Sequence, residues 1–323
     1  MNNLKCSVVI PVKNAVRILP EVIDRVLSQK TEWPFEVIVI DSGSQDGTAE
    51  YLRNLDTVRL IEISPSDFGH GRTRNLGVSI SSSQFVAFLT HDAVPKDDFW
   101  LANLVAVAET DTQIAGVFGR HVARDDASPY TKYDLDRHFD GFGKLPLVHS
   151  RALDEARYET EQGWRQIMHF YSDNNSLMRR SVWETIPYPD VEFAEDQLWA
   201  RAVIEAGYKK AYCADAVVIH SHDYGLREQF SRAFDESRNF RKYFGYLLSP
   251  TPFHLFEAIY RFTIEAFSQD LDPRYGKLRR RDRLRRALQR SMLVAGHCAG
   301  ANHEIFPAWL ARRMSLDEKL FRS

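Results

Sequence analysis

Four short apolar runs, each followed by a turn-rich or helical stretch, constrain this chain more than any other feature. Residues 6–11, 35–40, 58–63 and 85–89 are rich in Val, Ile, Leu and Phe. Runs of that length read as strands buried on both faces. Between them lie segments with apolar residues at helical spacing: 19–27 (Leu19, Val22, Ile23, Val26, Leu27), 71–80 and 97–108. Pro20 falls in a first helical turn, where it is tolerated. Strand–helix alternation of this kind predicts an α/β fold, a mostly parallel sheet flanked by helices. In such sheets ligands bind beyond the carboxyl ends of the strands.

The rest of the chain is less regular. Residues 120–166 are aromatic, charged and weakly periodic, and read as long loops. Residues 174–178 read as a strand, 195–206 as a helix, and 210–213 and 216–220 as two short strands. From Leu226 onward the pattern is helical, over 226–247, 252–268 and 275–295. The expected division is a catalytic domain over 1–225 and a C-terminal helical region over 226–323.

Composition narrows the function classes. The net charge is −2, but residues 274–290 hold nine Lys/Arg and one Asp. A basic segment on an otherwise acidic chain points to a local electrostatic partner, not to nucleic acid. Cys6, Cys213 and Cys298 form no CxxC pair and no even-numbered framework, which fits a reducing cytoplasm. No apolar run approaches the roughly 20 residues of a membrane helix, and no signal pattern opens the chain, so a soluble or peripheral cytoplasmic protein is expected.

Five polar clusters carry the chemistry. Pro11 closes the first strand, and Asp41-Ser-Gly-Ser-Gln-Asp-Gly47 follows the second. A carboxylate at a strand end can accept from a pyrimidine N–H, and Ser42 and Gly43 allow close backbone approach; plain strand-to-helix punctuation with Asp46 as N-cap reads equally well. Phe68-Gly-His-Gly-Arg-Thr-Arg-Asn-Leu-Gly77 sets Arg72, Arg74 and Asn75 at a Gly-rich helix start. That suits a diphosphate, or a solvated helix face. In Thr90-His91-Asp92 one carboxylate at a strand end can share Mg2+ or Mn2+ with phosphates, or serve as a turn residue. Glu195-Asp196 at a helix start can supply a general base, or merely complement the helix dipole. His220 and His222, on one face of an extended segment, can complete a metal site or pack.

Taken in order, these clusters over roughly residues 7–224 resemble glycosyltransferase family 2, whose catalytic domain has the Rossmann-like GT-A fold. Gly71-Arg-Thr-Arg-Asn-Leu-Gly77, Thr90-His-Asp-Ala93 and His220-Ser-His-Asp-Tyr224 are most similar to its bacterial rhamnosyltransferase branch. The resemblance implies base binding by Asp41, diphosphate contact by Arg74 with Arg72 beside it, and a metal held by Asp92. It also implies a catalytic base at Asp196 with Glu195 its neighbour, and a late His, His222 in preference to His220, on metal or diphosphate. Many members carry Asp-x-Asp where this chain reads Thr90-His91-Asp92, and related rhamnosyltransferases often have Gln at His91, so one carboxylate implies a weaker metal site.

The implied reaction is inverting transfer of a sugar, L-rhamnose from dTDP-L-rhamnose by branch resemblance, to a glycan or lipid-linked glycan in O-antigen-like surface polysaccharide synthesis. UDP-hexose donors and a non-catalytic glycan-binding relative are the alternatives. A nucleotidylyltransferase would want a Gly-rich Arg/Lys loop after the first strand, and Pro11-Val-Lys-Asn14 is not one. The basic segment 277–290 fits an anionic membrane surface at the inner face of the cytoplasmic membrane, or pairing with acidic parts of the same chain or of a second subunit in a homo-oligomer.

Overall fold

A computed structural model describes residues 4–316 of the 323-residue chain. Nine strands form one sheet: β1 (Cys6–Val12), β2 (Phe35–Asp41), β3 (Arg59–Glu62), β4 (Phe85–Leu89), β5 (Val94–Pro95), β6 (Ile114–Val122), β7 (Val148–His149), β8 (Asn175–Arg179) and β9 (Lys209–Ile219). Their order across the sheet is β3-β2-β1-β4-β8-β6-β9-β5, with β7 also paired to β9. The helices are α1 (Leu19–Leu27), α2 (Thr48–Arg53), α3 (His70–Ile80), α4 (Trp100–Glu109), α5 (Pro129–Gly143), α6 (Glu155–Thr160), α7 (Gln162–His169), α8 (Arg180–Trp183), α9 (Glu195–Glu205), α10 (Leu226–Phe244), α11 (Pro252–Ser268), α12 (Arg280–Ala301) and α13 (Ala308–Met314).

The apolar runs are strands because both faces of the sheet are covered. Along β1 the side chains alternate: Val8 and Ile10 pack with Leu19, Val22 and Ile23 of α1, while Val9 packs in the opposite layer with Val78 of α3 and Trp199 of α9. The parallel expectation holds for β1 with β2, β2 with β3 and β1 with β4. Beyond β4 the sheet is mixed: β8 runs antiparallel between β4 and β6, β6 and β9 are parallel, and β5 and β7 pair antiparallel with β9.

Two expectations are corrected. Residues 120–166 are not long loops: they contain the end of β6, then α5, β7, α6 and α7. Phe139 and Phe142 of α5 bury their rings against Phe118, Phe170 and Tyr212, an aromatic cluster that periodicity in aliphatic residues does not reveal. The two short strands at 210–213 and 216–220 are one strand, β9, interrupted where its register on β6 shifts between Gly119 and Arg120. The Asn175 amide spans this break, donating to the carbonyl oxygens of Arg120 at 3.0 Å and Ala216 at 2.8 Å. β9 ends at Ile219, so His220 lies just past the strand.

The chain divides into two compact units, 1–124 with 135–221, and 125–134 with 222–323. The second is helical. Within it α12 crosses α10 closely: a Cβ on Gly296 would lie 2.3 Å from the Phe230 carbonyl oxygen, and one on Gly300 2.3 Å from that of Phe234.

Candidate active site

Register places the polar clusters of the first unit along one sheet edge. Asp41 ends β2 beside Val12 of β1 and Glu62 of β3, at the carboxyl ends of the parallel strands. Because β8 is antiparallel to β4, with Asn175 opposite Leu89, the start of β8 lies at that same edge. β9 is parallel to β6, and Val94 of β5 faces Ile219 of β9, so the residues before β5 and after β9 meet there too.

The first cluster is built by the loops after β1 and β2. Asp41 is 1% exposed; its Oδ1 accepts from the N–H groups of Gly43 and Ser44, each at 2.9 Å. Its Oδ2 is buried with no hydrogen-bond partner, an acceptor that carries a desolvation cost unless something donates to it. Gly43 has φ +82°, and a Cβ there would lie 2.7 Å from Cγ of Pro65, so no other residue fits without displacement. The two loops are laced together. Asn14 accepts from Gln45 N–H at 2.9 Å, and Asp46 accepts from Val16 N–H at 3.2 Å and from the Thr48 N–H and hydroxyl. The hydrogen bonds on Asp46, led by the Thr48 hydroxyl, lower its pKa. Gly47, not Asp46, is the formal N-cap of α2. Pro11 is half-buried beside Ile40. The Ser42 hydroxyl is committed to the Val12 carbonyl at 3.1 Å.

The second cluster joins α3 to α9. Arg74 is buried and donates Nη1 to Glu195 at 2.6 Å; its Nε lies 3.1 Å from Asp173 Oδ2 in an ion pair outside hydrogen-bond geometry. This differs from the expected diphosphate contact: the guanidinium faces two carboxylates of its own chain. Gly71 lets α3 approach so closely, since a Cβ there would lie 2.4 Å from the Pro189 carbonyl oxygen. Asn75 is likewise structural, accepting from the Trp183 indole at 2.8 Å and Tyr188 N–H at 3.1 Å while donating to the Tyr188 carbonyl. Arg72 reaches outward and pairs with Asp190 at 2.9 Å.

Asp173 was not foreseen from sequence. It accepts from the Ser176 hydroxyl at 2.7 Å and the Tyr188 hydroxyl at 2.8 Å. The signal was an acid just upstream of a buried strand, which acquires meaning only once β8 is known to run antiparallel. Asp196, in the first turn of α9, accepts from Gln197 N–H at 2.7 Å and from Asp173 N–H at 3.4 Å. Burial, reinforced by Glu195 and Asp173 and opposed by Arg74, raises the Asp196 pKa well above the usual carboxylate range. Burial also raises that of Asp173, against the pull of Arg74. Ala194, immediately before the acid pair, sits at φ +58°, a left-handed conformation that costs a residue with a Cβ about 1–2 kcal/mol.

The third cluster forms where β5 meets β9. His220 Nε2 lies 3.5 Å from Asp92 Oδ2. Arg124 donates to the Asp92 carbonyl at 2.9 Å, and its N–H donates to the Ser221 hydroxyl at 3.0 Å, fixing both ends of the pair. The His121 ring packs edge-on against His220 at 5.5 Å, and burial lowers its pKa to about 3, so it is neutral. His91, half-buried, precedes Asp92 in the same turn. His222 opens the second unit, where its ring stacks on Tyr224 at 5.6 Å.

Comparison with known proteins gives a consistent picture. The family described as Glycosyl transferase family 2 matches residues 7–186, more than half of the chain. The O-antigen chain rhamnosyltransferase RfbN of Salmonella typhimurium is 38% identical over 235 residues, 72% of this chain and 71% of that protein. The O-antigen chain rhamnosyltransferase WbaN of Salmonella anatum is 37% identical over 210 residues, 64% of this chain and 63% of its own length. Among solved structures, the mannosyltransferase PcManGT from Pyrobaculum calidifontis, in complex with GDP-Man and Mn2+, superposes with a TM-score of 0.62 at 18% identity, over 92% of this chain and 87% of that one. The likeness to that structure is one of fold.

Proposed function

The chain belongs to glycosyl transferase family 2, and on that premise we propose that it is an inverting rhamnosyltransferase. It transfers L-rhamnose from dTDP-L-rhamnose to a lipid-linked glycan of a bacterial surface polysaccharide, at the inner face of the cytoplasmic membrane. The names of RfbN and WbaN support the sugar and the type of product. The observation that supports transfer as the chemistry is the Asp196 carboxyl: half-buried beside Glu195 at the edge where the parallel strands end, its Oδ2 accepting from the Asp173 N–H at 3.4 Å, with its proton affinity raised.

Asp41 receives the base. Its partnerless Oδ2 suits the ring N–H of thymine, and uracil offers the same donor, so this contact alone does not choose between dTDP and UDP. Asp92 and His220 would hold a divalent ion. One carboxylate oxygen and one imidazole nitrogen 3.5 Å apart fit an oxygen–nitrogen donor set, which suits Mn2+ better than the all-oxygen preference of Mg2+. Bound there, the ion would neutralise charge developing on the leaving diphosphate. Arg72, on the outer face of α3, is the arginine left to approach the diphosphate, by exchanging its exposed Asp190 partner for phosphate oxygens. His91 precedes Asp92 in the same turn, beside the ion that Asp92 would hold.

Asp196 takes the proton of the acceptor hydroxyl. That oxygen forms a bond to the anomeric carbon as the bond from that carbon to the diphosphate oxygen breaks, with inversion. Glu195 and Asp173 hold the proton affinity of Asp196 high, and Arg74 keeps the cluster from carrying three uncompensated charges. The test is Asp196→Asn: dTDP binding stays near wild type, while rhamnosyl transfer falls by about 10²–10⁴-fold. Near-normal transfer by this variant overturns the base assignment. Turnover of a UDP-hexose in place of dTDP-rhamnose reassigns the donor.

A further inference from the structure

The helical unit carries an apolar surface that the transfer reaction does not use. On α11, Phe253, Phe256, Tyr260, Ile264 and Phe267 are spaced by three and four residues and form one stripe along the helix. They are 74%, 70%, 71%, 48% and 51% exposed, whereas the helix buries its small residues, Ala258 and Ala266. Large aromatics outward and alanines inward invert the usual amphipathic arrangement. A contiguous apolar stripe of this size marks a contact surface, not ordinary solvent-facing scatter.

The neighbouring α12 extends the surface and supplies its charge. Leu284 and Leu288, one turn apart, are 54% and 41% exposed. Several cations of the basic segment are already committed. Arg283 pairs with Asp270 and donates to the carbonyls of Ala266, Phe267 and Gln269, closing the end of α11. Arg286 and Arg290 both pair with Asp134. The expectation that the whole segment forms a cationic face is therefore narrowed to Lys277, Arg279, Arg280, Arg281 and Arg285, all exposed, of which Arg281 also lies 3.8 Å from its neighbour Asp282.

We propose that the α11–α12 hairpin docks on an anionic lipid bilayer, the aromatic stripe of α11 entering the headgroup boundary and the exposed arginines at the start of α12 meeting lipid phosphates. Charge complementarity selects this occupant. Residues 251–290 hold ten Lys/Arg and five Asp/Glu, so a second copy seated two-fold on the same surface would bring one cationic surplus against another. An anionic membrane meets both features at once, because apolar insertion and attraction to acidic headgroups act on the same helix pair. Among the described residues no helix is long and apolar enough to cross a membrane, so the surface would lie in the interface plane.

The proposal bears on the membrane location named for the acceptor, but its readout does not depend on sugar transfer. The full chain is sedimented with phosphatidylcholine vesicles, with and without phosphatidylglycerol. Wild type binds the anionic vesicles and only weakly the neutral ones. Phe256→Asp with Tyr260→Asp reduces binding at least tenfold at any salt concentration, and Arg280→Gln, Arg281→Gln and Arg285→Gln together reduce it tenfold at low salt and less at high salt. A thermal midpoint close to that of wild type checks that each variant is folded. Equal binding by the aromatic variant, or none by wild type, overturns the proposal. So does a wild-type dimer that Phe256→Asp converts to monomer without any vesicle binding.

Discussion

Arg74 offers the most direct test of the carboxylate cluster, through Arg74→Met. In the native site the guanidinium faces Glu195 at 2.6 Å and Asp173 at 3.1 Å, with all three side chains largely shielded from water. Methionine fills similar volume and leaves Asp173 and Glu195 buried without a cation. Removing one partner of a buried pair costs about 3–5 kcal/mol, because the remaining charge keeps its desolvation penalty. For a unit of this size each kcal/mol moves the midpoint by about 2–4 °C, so the transition should fall by roughly 6–20 °C.

The loss should depend on pH in a set direction. Burial already holds Asp173 and Asp196 above the ordinary carboxylate range, against the lowering influence of Arg74. A carboxyl whose folded pKa exceeds its unfolded value binds more protons when folded, so stability falls as pH rises through the folded pKa. Arg74→Met moves both folded values further up. The deficit relative to wild type is therefore greatest above those values and shrinks as pH falls through them toward the ordinary carboxylate range. Midpoints of wild type and variant are compared across that span by calorimetry. Adding Asp173→Asn and Glu195→Gln to Arg74→Met should restore most of the stability, since the uncompensated charges are then gone. A deficit below about 1 kcal/mol, or one that is flat with pH, refutes the assignment of Arg74 as the neutralising cation of this cluster.

Three further outcomes follow from the same geometry. Asp41→Asn keeps an acceptor for the Gly43 and Ser44 N–H groups but loses the charge on Oδ2; dTDP affinity by titration calorimetry should drop by roughly 1.5–3 kcal/mol with little change in thermal midpoint. Asp92→Asn and His220→Ala should each raise the Mn2+ concentration needed for half-maximal dTDP binding by at least about tenfold, and unchanged metal dependence in both would remove this pair from the metal site. Ala194→Gly relieves the left-handed strain at φ +58° and should raise the thermal midpoint, by about 0.5–1 kcal/mol of stability after glycine's own entropic cost, while slowing transfer if that strain aims Asp196.

The N-terminal half of the fold was legible because buried parallel strands announce themselves. Residues 35–40 and 85–89 match β2 and β4 to within one residue, since both are apolar runs, broken only by Glu36, with Asp41 or Thr90 marking the end. Strand direction was not legible. Asn-Ser-Leu-Met-Arg179 of β8 carries no mark of its direction, and only its register on β4 reveals that it runs the other way. Arg74 and Arg72 illustrate the same limit at the level of the site. An arginine beside a Gly-rich helix start reads alike as a phosphate ligand or as one arm of a buried ion pair. What separates the two is the partner 121 residues away, Glu195, brought near because Gly71 has no side chain to keep α3 and the 189–195 segment apart.

The reversal at β8 also explains why acids from distant parts of the chain share one edge. In a purely parallel sheet only segments that follow strands reach the carboxyl edge. Inserting one antiparallel strand brings a segment that precedes a strand to the same place, and Asp173 occupies it, two residues before β8. The pairing of β5 with β9 repeats the device: Asp92 precedes β5, His220 follows β9, and opposed strand directions set them 3.5 Å apart. The parallel half contributes Asp41 and, through α3, the cation Arg74; the mixed half contributes Asp173, Glu195 and Asp196. A single arginine from the first half thus neutralises an acid cluster from the second. Loss of Arg74 should therefore disturb the proposed base, Asp196, by changing its proton affinity before it disturbs the proposed nucleotide cradle around Asp41, and dTDP affinity should survive Arg74→Lys under conditions where the pH profile of transfer has already shifted to higher pH.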